Sequence, residues 1–468
     1  MNYDYVIIGG GPSGVYCADK LSEMNYKVCL LEELEDIGGC HRVRYVSDYD
    51  GNMIHTEHGP RIYLGAYLDF WKWMKTIGIE KDKHFTKYIT KTLGEDIFEY
   101  SLKFKIHELL CMVIVYLIQN IVRYDFSVNY TVDDFMKQTH FTKEGKERLN
   151  RICRLIDGGN TDKTTVSALF KGLDTGLAYY IYEPTSPMNK LVWSKLRKKL
   201  QNQSVDIYLD TRVRKITKGV VYTEKGDIKC NRILLCIPPM AMNNIENAPS
   251  LVGYDVCIFD RLSQYQQYEP YICATIHFKG TTTVTKWGIA GEHPWGLVDI
   301  DMGRYFKDIY GSMFIVSVTH PEKVDPHTNL SANQMDRDMF LDRIVEIVQE
   351  RFDIQEHPIA KTLSPNVKKV NGQWIETDRA FMYSPPGWLK PDIKVSSKNG
   401  VWTTGHHIGD SHHEYNSMES AVQNAIQLLR NIEPSYDVTI TRPWRVSDFV
   451  WISIILGSVV YVYYSSKK

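Results

Sequence analysis

The pattern of apolar runs and glycine turns predicts an α/β fold: a Rossmann-like domain with an inserted mixed-sheet and helical domain, plus one C-terminal transmembrane helix. Three observations predict it. The apolar run Tyr5 to Ile8 leads straight into the glycine turn GGGPSG. Strand-like apolar runs return far downstream, near 205–237 and 401–405. Close to the end of the 468 residues, the 16 from Phe449 to Tyr464 carry no charged side chain.

The opening unit is the most informative. Tyr5, Val6, Ile7 and Ile8 suit a buried parallel strand, and a helix is expected through Tyr16 to Met24. Between them stand Gly9, Gly11 and Gly14. In such a turn the first glycine permits the bend, the second lets a pyrophosphate approach the backbone, and the third lets helix and strand pack closely. The helix N-terminus offers free N–H groups and a positive dipole end. A second strand, Lys27 to Leu31, ends at Glu32, where a carboxylate meets a ribose hydroxyl. An acid at this place favours an unphosphorylated adenine ribose, as in FAD or NAD.

The stretch EELEDIGGC, Glu32 to Cys40, resembles the superfamily of flavin amine oxidases, protoporphyrinogen oxidases and phytoene desaturases. The resemblance implies FAD, with Gly38 and Gly39 along its diphosphate and ribityl region; because no cysteine follows Cys273, the cysteinyl link of some relatives is excluded and the FAD is expected to be non-covalent. Cys40 stands where those proteins usually have arginine, which leaves Arg42 or Arg44 to supply the charge. Glu57-His58-Gly59-Pro60-Arg61 resembles a segment near the flavin in protoporphyrinogen oxidase-like members, with Gly59 and Pro60 close to the ring and Arg61 at its pyrimidine end. Read alone, it is equally a turn with a solvated arginine.

Two later segments extend the resemblance. Val205 to Leu209 and Thr211 to Ile216 read as strands, a hairpin follows through Gly219 and Gly226, and Arg232 to Pro239 returns to the sheet. This order implies that the backbone at Val213 meets the adenine. Val401 to Gly405 reads as a strand ending in glycine, and Ser417 to Leu429 as a helix containing Met-Glu-Ser-Ala-Val. By resemblance the helix start at Met418 points at the flavin, with Gly405 and Asp410 among the cofactor contacts. His406 to His413 is rich in imidazoles; metal binding is disfavoured because neighbours along a loop need not converge, and His406 or His407 is expected near the flavin.

Residues 1–67, 202–246 and 386–433 are therefore assigned to a discontinuous FAD-binding domain, and 68–201 with 247–385 to a substrate domain. Residues 434–447 form a linker and 448–466 a transmembrane anchor. Within the substrate domain Leu109 to Ile118 is expected as a buried helix, a membrane-touching surface being the alternative. Met335 to Phe352 is expected as a helix with Met339, Ile344, Ile347 and Val348 on its core face.

Lys+Arg 55 against Asp+Glu 56 gives a net charge of -1, no field for nucleic acid. Nine cysteines lack a CxxC pair, as expected for buried thiols in a reducing compartment. No cleavable signal is expected at the N-terminus, which enters a strand and glycine turn without a basic region or long apolar stretch. The expected function is thus a membrane-anchored FAD-dependent oxidoreductase with its body in the cytosol, contacting a lipid bilayer through its last helix. It takes a hydride from an amine or apolar substrate; the alternatives are a desaturase or protoporphyrinogen oxidase-like enzyme on a lipid or ring, or a non-catalytic FAD scaffold. No cysteine follows Cys273, Ser417 replaces one residue of the aromatic cage of amine-oxidising relatives, and no lysine lies in 271–278 where one is usual near flavin. Catalytic residues and the electron acceptor are left unassigned.

Overall fold

The computed structural model describes residues 2–59, 62–87, 100–157, 159–252, 272–281, 288–289, 293–306, 311–377, 386–387, 400–413 and 415–465. Strand β1 (Asn2–Ile8), helix α1 (Pro12–Glu23) and strand β2 (Val28–Leu31) form the expected opening unit. Pro12 starts α1 because its fixed φ suits the first helical position and its missing N–H is not needed there.

One sheet gathers strands from three distant parts of the chain. Its order is Asp206–Tyr208, β2, β1, Gly226–Leu235, Val220–Thr223 and Val213–Thr217, with Val401–Thr403 beside Gly226–Leu235. The parallel registers pair Ile8 with Leu31 and Leu235, Leu31 with Tyr208, and Leu235 with Thr403. Five strands thus end along one edge. In open α/β sheets the crevice outside that carboxyl edge is where ligands bind. The sheet, α1, the helix Leu68–Lys75 and the helix Met418–Ile432 share one core.

The intervening sequence forms two further cores. A five-stranded sheet centred on Ile272–Phe278 and Ser312–Val318 packs against the helix Arg337–Phe352, with Trp295 and Trp374 buried between them. Met339 is exposed on that helix, while Phe340, Leu341 and Ile344 turn inward. The apolar stripe therefore begins one residue later than its spacing suggests. Helices between 100 and 176 hold the third core around Phe135, Leu149 and Phe170. Leu110, Val113 and Ile114, expected in a buried helix, are exposed on Ile106–Tyr116, whose buried residue is Glu108. Glu108 accepts hydrogen bonds from the N–H of Lys105 and from the N–H and hydroxyl of Thr142, and so turns the polar side inward.

The last helix, Val446–Ser465, corrects the expected transmembrane anchor. No helix among the described residues is long and apolar enough to cross a membrane. Lengthening the uncharged run of 16 back to Val446 takes in Asp448. That carboxylate accepts hydrogen bonds from Arg442 at 2.7 Å and from the Arg445 N–H at 2.9 Å. Beside it the buried Asp174 accepts from the Ser447 N–H at 2.9 Å, the Ser447 hydroxyl at 2.6 Å and the Tyr116 hydroxyl at 2.6 Å. A first turn docked on the protein body through Asp174, and tied to the preceding Arg442 and Arg445 through its own Asp448, leaves a remainder short of the ~17–25 residues that a hydrocarbon core requires. The anchor, the bilayer as a partner, the membrane localisation with a cytosolic body, and the membrane part of the expected function are withdrawn with it.

Asp174→Ala is expected to cost about 2 kcal/mol and to loosen this docking, since it leaves a buried N–H and hydroxyl without an acceptor. Limited proteolysis should then cut near Val446 faster than in the parent protein, with the remaining fragment pattern unchanged.

Candidate cofactor cleft

The carboxyl edge of the main sheet opens into a cleft of about 500 Å³. Gly9, Gly11, Glu32, Gly39, Arg42, Val213 and Gly405 line it. They come from four segments: β1, β2, Gly226–Leu235 and Val401–Thr403 end side by side, and the Thr211 N–H, donating to the Glu32 carbonyl at 2.9 Å, brings the chain before Val213 to the same edge.

Two glycines of the turn are sterically obligatory. Gly9 has φ +105°, and a Cβ there would lie 2.6 Å from the Cys236 carbonyl oxygen. A Cβ on Gly14 would lie 1.9 Å from the Gly9 carbonyl oxygen. Gly14 stands behind the cleft and lets α1 touch the strand end, the third-glycine role. The first α1 bond, from the Val15 N–H to the Gly11 carbonyl at 2.9 Å, leaves earlier N–H groups at the cleft floor.

Glu32 closes one end. Its Oε2 accepts from the Gly10 N–H at 2.7 Å and its Oε1 from the Leu34 N–H at 3.0 Å. Burial pushes this carboxyl above its ordinary range, against the pull of the two N–H donors. A carboxylate has about four acceptor directions, so these bonds fix the side chain while leaving capacity for hydroxyl donors. Arg42 is buried, within 3.4 Å of His58 Nε2, and its carbonyl lies 3.0 Å from His58 Nδ1. Of the two arginines considered as a substitute at Cys40, Arg42 lines the cleft, whereas Arg44 pairs with Glu35 at 2.8 Å.

Other expected residues lie elsewhere. Gly38, at φ +123°, packs on the Trp193 ring, 3.0 Å from where its Cβ would stand. Gly59 faces Cys273 Sγ at 3.2 Å from a notional Cβ. Asp410 is exposed, its N–H and carbonyl taken by Gln427 at 3.1 and 2.8 Å. Met418 is buried at the start of its helix, whose cap is the reciprocal Ser417–Ser420 box. Pro60 and Arg61 lie outside the described residues.

Several cleft residues escape sequence reasoning. Thr404 is fully buried in the wall, and its hydroxyl has no hydrogen-bond partner among the described residues. Thr211, Asn244 and Asn416 also line the cleft. Asn416 stands just before the helix Met418–Ile432, so that positive helix end lies beside the cleft. His406 and His407 line the wall and diverge, the first 3.3 Å from Ser420 Oγ and the second 3.2 Å from Thr403 Oγ1. The one signal for Thr404 is its place directly after a strand that ends at this edge.

Residues 7–77 match the model of the NAD(P)-binding Rossmann-like domain. The whole chain is similar in structure to a putrescine oxidase solved with putrescine bound, with TM-score 0.62, 12% identity, and coverage of 92% of this chain and 99% of the other. A triple mutant of putrescine oxidase gives TM-score 0.63 at 13% identity, covering 92% and 98%. An oxidoreductase from Methanosarcina mazei gives TM-score 0.60 at 12% identity, covering 91% and 99%. At such identities the shared property is the fold: a Rossmann-like domain with an inserted mixed-sheet and helical domain.

Proposed function

We propose that this chain is an FAD-dependent oxidoreductase of the amine oxidase-like superfamily, acting on a small molecule and holding its cofactor without a covalent bond. The observation that carries the reading is the cleft: glycines that accept no side chain, a buried acid and an orphaned hydroxyl, drawn from distant parts of the chain, converge on one sheet edge. The residues fit the group. The first-turn N–H groups of α1, with Gly9, Gly11 and Gly39, receive the diphosphate, and Glu32 receives the adenine ribose. Val213 supplies backbone near the adenine; Arg42 and the helix end beside Asn416 place positive charge on the remaining wall. The bound flavin supplies the hydride-accepting chemistry, so a protein triad is not required. This chain's residues orient the cofactor and exclude water.

Thr404→Val tests the wall. The exchange removes a hydroxyl that has no partner and keeps the shape, so the thermal midpoint of the ligand-free protein is expected to hold or rise. FAD affinity should fall about tenfold, the worth of one hydrogen bond.

Turnover is tested by anaerobic titration of the FAD-loaded protein with a panel of amines and their alcohol counterparts. Bleaching of the flavin by a donor, followed by recovery on admitting oxygen or a quinone, is the expected result. FAD that stays oxidised with every donor would assign the chain to the non-catalytic alternative.

A further inference from the structure

A second cavity, of about 630 Å³, lies between the helical core and the core of the inserted sheet. None of its described lining residues belongs to the cofactor cleft. One wall comes from the helix Lys143–Asp157 and the loop after it, the other from residues 293–298 and 320–323. The two walls meet at Gly296. Its φ of +60° is left-handed, and a Cβ there would lie 2.1 Å from Arg154 Nη1, 2.5 Å from Thr319 Oγ1 and 2.9 Å from the His320 ring. The absent side chain is what lets the Arg154 guanidinium cross from the helix to the sheet. Arg151, one turn earlier on the same helix, lines the same cavity, and Lys323 lines it from the sheet side.

The less solvated charge in this cavity is positive. Half-buried His320 is held down to about 4, first by burial and then by the charges of Arg154, Lys323 and Lys163. Cations from three segments therefore crowd one point of the wall. Carboxylates line the cavity too, but they are the more solvated groups. Glu147, Asp162 and Glu322 are exposed, Glu322 standing 3.6 Å from His320 Nδ1, and Asp133 is held by Lys137 at 2.6 Å. Water and salt screen exposed acids, whereas a half-buried arginine keeps more of its field.

We propose that this cavity is a second ligand site, which takes a small molecule carrying two or more negatively charged oxygens, as a phosphate ester or a polycarboxylate does. Arg154 and Arg151 offer planar pairs of N–H donors to such oxygens, and Lys323 adds a point charge. The bound anion bridges helix and sheet and relieves the repulsion among the cations. The site does not rest on the flavoenzyme reading above.

Citrate and fructose 1,6-bisphosphate are the probes, titrated calorimetrically into the full chain with and without excess FAD, at an ionic strength held constant with sodium chloride. Saturable binding of one molecule per chain is expected in both conditions, and the tighter probe tells carboxylate from phosphate ester. Arg154→Gln should weaken that probe about tenfold, the worth of a charge-assisted hydrogen bond. Two exposed positions give signs that a folding defect would not. Lys323→Gln should weaken the probe and Asp162→Asn should tighten it, each with the thermal midpoint of the ligand-free protein unchanged. Heat of dilution alone with both probes overturns the proposal, as does an affinity that neither of these two variants alters. Binding that vanishes when FAD is added also overturns it, because the anion then occupies the cofactor cleft. Anion binding by a protein that takes up no FAD would refute the flavoenzyme reading alone.

Discussion

A Gly14→Val protein is expected to take up no FAD at concentrations that saturate the parent, a loss of at least a hundredfold in affinity. The cause is contact distance. A Cβ at residue 14 stands 1.9 Å from the Gly9 carbonyl oxygen and 3.2 Å from the Cys236 Cβ, and the nearer neighbour is backbone that cannot rotate away. Either α1 lifts off the sheet or the β1 turn is pushed into the cleft. Both displace the first-turn N–H groups from the diphosphate position. Overpacking of this kind also costs about 1–3 kcal/mol, so the variant should melt earlier while remaining folded. Fluorescence quenching of added FAD measures the affinity, and far-UV circular dichroism establishes that the fold persists. Near-parental affinity would show that the turn does not hold the cofactor.

Glu419→Ala is expected to cost on the order of 3 kcal/mol of stability, more than any surface substitution in this chain. Glu419 is buried on the helix Met418–Ile432 and accepts from the N–H groups of Asp69 at 2.9 Å and Phe70 at 2.7 Å. The Gln423 amide donates to it at 3.0 Å. Alanine leaves two helix-start N–H groups buried without an acceptor, as well as a void. The same residue gives a pH signature. Burial pushes its carboxyl up to about 8, partly offset by the two backbone donors. The folded protein therefore binds this proton more tightly than the unfolded chain does. The resulting stability is complete below an unfolded carboxyl pKa of ~4.3 and is lost as pH rises toward about 8. Buried His55 and His277, held down to about 3 and about 4 chiefly by burial, work in the opposite direction below ~6.5. Between pH ~6.5 and ~8 the parent midpoint should fall with rising pH, and Glu419→Gln should flatten that slope. An unchanged slope would contradict the assignment.

The cofactor edge was legible because its signals are local. Gly9, Gly11, Gly14 and Glu32 lie within one strand, helix and strand, and each answers to a backbone requirement visible in the sequence itself. The strand at Val401 was readable for the same reason. Thr404 was not, since an unpaired hydroxyl becomes visible only when its neighbours are known. The last helix reads as a membrane anchor because its 16 uncharged residues, Phe449 to Tyr464, carry the whole local signal; hydropathy alone does not reveal that Asp174 docks the helix start. Leu110 and Val113 failed in the reverse sense, because an apolar helix was equated with a buried one although its polar Glu108 is what the neighbouring loop binds.

Titration of the purified protein with FAD, followed by its visible spectrum after gel filtration, tests the central claim most directly. The account predicts one flavin retained per chain, released as intact FAD on denaturation and absent from Gly14→Val. Folded parent protein that emerges colourless, and stays so after incubation with excess FAD, would contradict it.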